Sequence, residues 1–414
     1  MPLVSWSRPA ASDRRWGLVF LPTIRSRSVF IVAIIFAVLA PCLANEVIRI
    51  AVKKTGAGPL FQIRRGARWG YMDRSGRTII TPQFDDEGDF FEGVATVQKD
   101  GVWGYIDETG RPVIPFRFES AGDFGEGLAP VQLHRRWGFI DRSGKLVVEP
   151  RFQAAAEFHE GLALVEVWNG IRCDDSDFTK DTAPLYAFRM HNTPPAVTIG
   201  CFSKEARFGF IDKLGRLVIA AKFRSASNFS EELAVVLGGE SGTAYGYIDK
   251  TGRMAIAPAF DQASSFTEGL AAVEVSAQAT DDEQPVPRWT FIRRDGALAF
   301  ASRFVEAKSF SEGLAAVSPS AGRWGYIGRL GTLMIPAVFS EAGDFSEGLA
   351  LVWPYDEEDG YYINSHGSVM LKPSLAPMWS FSDGLTVAGQ IGQQMYIDVQ
   401  GKVIARYEQE AAIR

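Results

Sequence analysis

From residue 69 onward, apolar and polar positions alternate in short runs that return every 34 to 37 residues wherever no segment is inserted. Trp103-Gly104-Tyr105-Ile106 alternates in side-chain direction as a strand does, and the DETG that follows supplies a turn. Asp107 is expected to open that turn by bonding to backbone amides, and Gly110 to close it where a positive φ is needed. A second strand, Val113-Ile114, is stopped by Pro115, which has no N–H to give to a ladder. The two make a hairpin. Beyond it, Phe118, Ala121 and Phe124 are spaced three apart, which predicts a helical turn or an irregular loop with its apolar side down. The unit closes with EGLAPV from Glu126, a short buried strand. Each unit thus has three strands and no long helix.

Aligned on the Trp-Gly position, units begin at Trp69, Trp103, Trp137, Phe208, Tyr245, Trp289, Trp324, Gly360 and Gln394, the last stopping after its first half. Self-similarity of this period marks a solenoid, a propeller or a related array, and a chain of 414 residues exceeds one hydrophobic core. An octet that recurs in nearly every unit is a packing element, since an active site is one constellation in one place. Trp69, Gly70, Trp103, Gly104, Trp137, Gly138, Phe208, Gly209, Tyr245, Gly246, Trp289, Trp324 and Gly325 are assigned to packing. The retained aromatic at 208 and 245 fits packing and not an indole-specific contact. The glycine lets a neighbouring ring or backbone lie close. The fold expected is an all-β tandem array of antiparallel hairpins plus a third strand per unit. Units that need only their neighbours favour an open, solenoid-like stack. The alternative is a closed, propeller-like ring, because the chain begins with a third-strand-like piece at residues 60–63 and ends with a lone hairpin.

The WGYIDxxGxxVIxPxF and FxEGLAxV halves, repeated about eight times between residues 60 and 402, resemble the WG-repeat family of bacterial proteins, also called KWG repeats. The resemblance covers most of the chain beyond residue 44. It implies a tandem β-repeat fold and a role in interaction. Unit six departs from the pattern, with Thr290 and Arg293 in place of glycine and aspartate, and so does unit eight, with Gly360-Tyr361 in place of Trp-Gly. Those units are expected to pack less regularly.

Insertions interrupt the array near residues 166–207 and 274–288. Such segments usually emerge on one face, often the binding face. At the other end, five arginines precede an apolar run at residues 29–40, followed by the small residues Cys42 and Ala44. Residues 1–44 are read as a secretory signal cut after Ala44, leaving 45–414 as the mature array in the periplasm or outside the cell. An uncleaved signal anchor is the alternative; lipidation of Cys42 is disfavoured by Pro41. Cleavage takes away five arginines and one aspartate and lowers the formal net charge from −6 to −10, which makes nucleic acid and anionic lipid poor partners. Cys173 and Cys201 are then the two remaining cysteines, candidates for a disulfide in an oxidising compartment.

Candidate chemistry is sparse. A glutamate recurs before Gly-Leu-Ala at 92, 126, 160, 231, 268, 312 and 347, with Asp383 in the last full unit. Each is expected to accept backbone N–H bonds in its own loop, because a catalytic pair needs two unlike environments. His134, His159, His191 and His366 show no metal-ligand spacing, and Asp174, Asp175 and Asp177 lack the glycine and distal glutamate of a calcium loop. No nucleophile elbow, phosphate loop or dinucleotide fingerprint is present. No catalytic, cofactor or metal residues are assigned. The sequence points to a non-catalytic scaffold that binds a protein or peptide at the cell envelope. One alternative is a glycan or cell-wall module using Trp168, Trp353 and Trp379, which lie outside the Trp-Gly register. Another is a hydrolase with its site around Asp174 to Asp177.

Overall fold

The computed structural model describes residues 58–168, 206–238, 243–275, 288–357, 359–374, 376–389 and 394–406. They lie in the unit formed by residues 54–414. The expected signal at 1–44, Cys173, Cys201, Asp174, Asp175 and Asp177, and most of both insertions fall outside the described residues.

Every regular element among the described residues is a β-strand, and all pairings are antiparallel, in sheets of three to seven strands. A representative sheet runs Asp86–Phe91, Val94–Lys99, Val102–Asp107, Pro112–Phe118, in that spatial order. Its two inner strands come from different sequence repeats: Val94–Lys99 ends one unit, and Val102–Asp107 begins the next, paired through Ala95↔Ile106 and Val97↔Gly104. Each repeat is therefore shared between two sheets, which is why no single unit can bury its apolar face alone.

One local expectation is corrected and a second, which left a helical turn and an irregular loop open, is narrowed. Proline does not stop the second hairpin strand, which runs through Pro115 as Pro112–Phe118. Trp103 pairs with Phe118 and Tyr105 with Ile114, so three residues of one strand face Gly104 on the other. A bulge of this kind tolerates a residue without an N–H. The segment after the hairpin is also not helical. It contributes a fourth strand, long at Asp86–Phe91, Ala154–His159 and Glu306–Ser311 and only two residues at Ser120–Ala121 and Gln262–Ala263. Its apolar spacing of three reflects a register shift, as between Glu87 and Phe90, and not a helical period.

The Trp-Gly glycine sits opposite the bulge. A methyl group added to Gly209 would lie 2.6 Å from the Ile219 carbonyl oxygen and 2.7 Å from the Ala221 nitrogen, closer than real side chains approach backbone. One position further on, a buried tyrosine ties the hairpin to the outer segment that follows it in the same repeat. Tyr71, Tyr105, Tyr247 and Tyr326 donate to the carbonyls of Gly88, Gly122, Ser264 and Gly343 at 2.7 to 2.8 Å. Burial pushes the Tyr247 and Tyr326 hydroxyls far up, so they remain protonated donors.

The departing units are less regular. In unit six Thr290 is fully buried at the glycine position and donates to the Ser302 carbonyl. The second hairpin strand is reduced there to isolated bridges at Trp289↔Phe304 and Ile292↔Leu298. Unit eight keeps short strands, Tyr361–Asn364 and Val369–Leu371.

Among the described residues no sheet closes on itself into a barrel, and neighbouring sheets stack through a repeated contact, as a nearest-neighbour stack requires. The turn glycines Gly110, Gly144, Gly252 and Gly367 each lie against the branched aliphatic one unit earlier, at Ile80, Ile114, Ile219 and Ile335. The same contact joins the two ends of the array: Gly76 of the first turn lies against Ile404 of the last hairpin. Phe61, Ile63 and Met72 are buried with Leu385 and Tyr396, and the Phe61 and Tyr396 rings meet edge to face at 5.8 Å. The complementary end halves thus adjoin, which is the contact expected of the ring alternative.

Candidate functional site

The recurrent carboxylates occupy the two-residue turns that precede each inner strand. Glu92, Glu126, Glu160, Glu231, Glu268, Glu312, Glu347 and Asp383 all have φ between 50° and 55°, and a second residue of positive φ follows each. Two successive left-handed residues make a tight hairpin turn whose hand matches the strand twist. The strain falls on a non-glycine residue for a visible reason. Each of the seven glutamates accepts a hydrogen bond from the corresponding turn of the following unit and not, as the repeat pattern suggests, from its own loop; for Glu160 the donor is Glu232 N–H. Gly127 N–H donates to Glu92, Gly161 to Glu126, Gly269 to Glu231, Gly313 to Glu268, Gly348 to Glu312 and Gly384 to Glu347.

A cation from the following hairpin turn completes most rungs. Arg142 pairs with Glu92 at 3.2 Å, Lys213 with Glu126 at 3.0 Å, Lys250 with Glu160 at 3.1 Å, Arg294 with Glu231 at 2.8 Å and Arg329 with Glu268 at 3.3 Å. For Glu126, burial raises the carboxyl, but the Lys213 ammonium and the Gly161 amide outweigh it and hold it below the ordinary range. Sequence reasoning missed these partners. The signal was present: a basic residue recurs in the turn as DRSG, DKLG, DKTG, RRDG and GRLG. Each of the seven glutamates is thus a brace between units, held as an acceptor by donors of the next turn.

The turn aspartates are committed in the same way. Asp141 accepts from the Ser143 hydroxyl at 2.6 Å and from the Ser143 and Lys145 amides at 2.9 and 3.1 Å. Chiefly through the Ser143 hydroxyl bond, its carboxyl is held below the ordinary aspartate value.

Of the aromatic and glycine positions assigned to packing, Phe208 and Trp324 are buried, while Trp69, Trp103, Trp137, Tyr245 and Trp289 are half-buried. Gly70, Gly104, Gly138, Gly209, Gly246 and Gly325 all face bulged backbone. Trp353 and Trp379 are half-buried. Trp353 packs against Gly360, and the Trp379 carbonyl accepts from the Tyr362 and Thr386 hydroxyls. Trp168 ends the strand Leu162–Trp168. Among the described residues, no group of three or more His, Cys, Asp or Glu side chains is placed to hold a metal ion, and no helix is long and apolar enough to cross a membrane.

What the array leaves open is the outward row of the second hairpin strand. Val113, Val147, Leu217, Val218, Met254, Leu333, Met334, Val369 and Met370 are exposed, Met334 by 60%. Most belong to strands at the edge of their sheet. The turn residues Leu214 and Leu330 are more exposed still, at 70% and 83%. A cleft of about 500 Å³ is lined by Trp289, Glu306, Ala307, Lys308, Trp324, Ser340 and Glu341.

Fold and site together define a tandem β-repeat protein whose recurring residues join unit to unit and whose chemistry-bearing repeats are used up in doing so. The chain belongs to the family of proteins with the WG containing repeat, which matches at residues 69–103, 103–134, 137–170, 208–237, 245–276, 289–318 and 324–352, over half of its length. No curated protein matches it. Solved structures resemble it at low identity. A eukaryotic initiation factor is 11% identical with a TM-score of 0.48, covering 76% of this chain and 85% of that one. BamB from Moraxella catarrhalis is 11% identical with a TM-score of 0.34, over 85% and 92% of the two chains. An acylaminoacyl peptidase from Pyrococcus horikoshii is 11% identical with a TM-score of 0.37, over 78% of this chain and 52% of that one. Likeness at this level carries no argument about activity.

Proposed function

We propose that this protein is an exported, non-catalytic scaffold that binds a protein or peptide at the cell envelope through the open edges of its sheets. The observation that carries the reading is the row of exposed apolar side chains on the second hairpin strands, from Val113 to Met370. Edge strands offer unpaired backbone groups to an extended partner, and apolar side chains on the same strand give that partner something to bury. Water-exposed apolar surface repeated from sheet to sheet is costly to maintain without a partner. The braced carboxylates and turn aspartates support the non-catalytic part, since each is already held by donors of the chain. Export rests on residues 1–44, and mass spectrometry of the native N-terminus tests it: Asn45 as first residue is expected, and a retained apolar run supports the anchor.

The binding reading is tested by capture from envelope extract with the intact chain and with a Val147→Lys, Val218→Lys, Met334→Lys variant. Charge on the edges should abolish retention of a defined partner while the circular dichroism spectrum is unchanged. Retention of polysaccharide and no protein would replace this reading by the glycan one. Turnover lost on Asp175→Ala without loss of folding would replace it by the hydrolase.

A further inference from the structure

In a repeat protein, residues that recur are spoken for by the fold, so side chains that break the pattern and gather in one place are the ones to examine for recognition. They gather at the cleft between Trp289 and Trp324. Lys308 stands where other units carry Gly88, Gly122, Ala156, Ser227, Ser264 and Gly343. Glu306 and Glu341 stand in adjacent units where Ser120, Ala154, Ser225 and Gln262 stand elsewhere; the first unit also has an acid there, Asp86, but it lacks the lysine two residues on, having Gly88. Thr290, which replaces the Trp-Gly glycine, is next to Trp289. Glu306, Lys308 and Glu341, with Ala307, Ser340 and the two indoles, line about 500 Å³, whereas Thr290 is buried and takes no part in that lining.

The cleft's charges are unevenly used. The Lys308 ammonium lies over the Trp324 ring, 5.5 Å from its centre, and is near Asp344, whose carboxyl burial pushes up and the Lys308 charge only partly draws back. Lys308 is thus drawn to one wall. Glu306 and Glu341 are exposed, and neither has an ion-pair partner among the described residues. Trp289 is half-buried, and no ring or cation of the described chain covers it. In the first unit the equivalent indole, Trp69, is covered from inside the chain by the Arg64 guanidinium at 5.3 Å. The vacant counterpart is an open indole beside two uncommitted carboxylates.

We propose that this cleft receives an arginine side chain of an extended, basic partner peptide. Its guanidinium would stack on Trp289 as Arg64 does on Trp69, and its planar N–H fork would meet Glu306 and Glu341. Arginine suits the site better than lysine, because a planar, weakly hydrated cation stacks on an indole and forks onto carboxylates. Glu306 and Glu341 face the cleft against the single cation Lys308, which is drawn over Trp324, so acidic side chains outnumber basic ones in its lining, in keeping with the acidic balance of the chain. This deepens the scaffold reading and rests on it.

The test uses the full chain and an acetylated, amidated Gly-Gly-Arg-Gly-Gly peptide, followed by tryptophan fluorescence and calorimetry. Replacing arginine by its neutral isostere citrulline should weaken binding by about tenfold or more, and the Glu306→Gln, Glu341→Gln variant should lose a comparable factor. Lys308→Gly, the residue at 88, 122 and 343, should leave binding of the arginine peptide intact or tighter, because it removes a competing cation. Equal binding of arginine and citrulline peptides overturns the proposal, as does loss of binding on Lys308→Gly. The captured envelope partner separates the two readings. If the double glutamine variant retains it fully while the edge-charge variant does not, the cleft assignment falls and the scaffold stands.

Discussion

At the scale of single residues, the two letters that mark each repeat do different work. The aromatic varies among Trp, Phe and Tyr, while the glycine faces a bulged backbone that leaves no room for a Cβ. At Gly138 a methyl group would meet Pro150 nitrogen at 2.8 Å and overlap the Val148 carbonyl. Gly138→Ala should therefore cost roughly 1–3 kcal/mol, the range of core overpacking, read as a lowered urea midpoint at unchanged slope. A cost near zero would mean that the bulge is free to shift. The turn aspartates set an acid limit. Asp73, Asp141 and Asp249 are held below their ordinary values, first of all by the hydroxyls of Ser75, Ser143 and Thr251. A depressed folded value contributes stability that is present above the unfolded aspartate value of about 3.9 and is lost as the pH falls through the folded one. Replacing all three by Asn, the residue that makes the same turn at 364, should flatten the fall in melting temperature below about pH 4. An unchanged acid limb would place the acid sensitivity elsewhere.

Between elements, the carboxylate of one turn is bonded to the next turn, so the ladder joins units and does not stabilise loops singly. Glu126 is the clearest rung, with both oxygens 3.1 Å from Gly161 N and one of them 3.0 Å from Lys213 Nζ. Its side chain is a third exposed, and solvent discounts the ion pair. Glu126→Ala should cost about 1 kcal/mol, mostly through the lost amide bond, and speed hydrogen exchange at Gly161 and the strand Leu162–Trp168. Glu108→Ala, which removes no rung, is the control. If both variants exchange alike, the ladder does not couple neighbours. The ladder also explains why a non-glycine residue is kept at a left-handed position in turn after turn: the side chain is needed one unit away.

For the whole array, the seam between first and last units is the contact without covalent continuity. It rests on Phe61 and Tyr396, with Leu385 and Met72 around them, and on Gly76 against Ile404. Arg74 of the first turn lies at Gly384 of the last, where a cation sits in the ladder elsewhere. Phe61→Ala removes a buried ring, a change that commonly costs 3–5 kcal/mol, so about that much should be lost from the seam. Hydrogen exchange should rise in the strands Phe61–Arg65 and Met395–Asp398 while the middle of the array, such as Arg136–Asp141, stays protected. Uniform loss of protection would mean that the array unfolds as one cooperative body through its ends.

The sequence by itself determined the strands, the hairpin turns, the repeat and the family, because these are local: alternation, an aspartate four residues before its amide partner, and glycine at a positive φ are all written within eight residues. It also marked the recurring glutamate as structural. Tertiary structure decided what depends on partners distant along the chain. Pro115 reads locally as a strand stop, yet becomes a bulge because Gly104 across the ladder lacks a Cβ. Phe118, Ala121 and Phe124 read equally as a helical turn or an irregular loop with its apolar side down; the loop is found, with all three buried, because Ser120 and Ala121 pair with the next inner strand. The partners of each carboxylate lie 35 or more residues further on, and the seam joins residues over 300 apart. The cleft at Trp289 has the same origin, since the departures at 306, 308 and 341 become one site only when adjacent units stack.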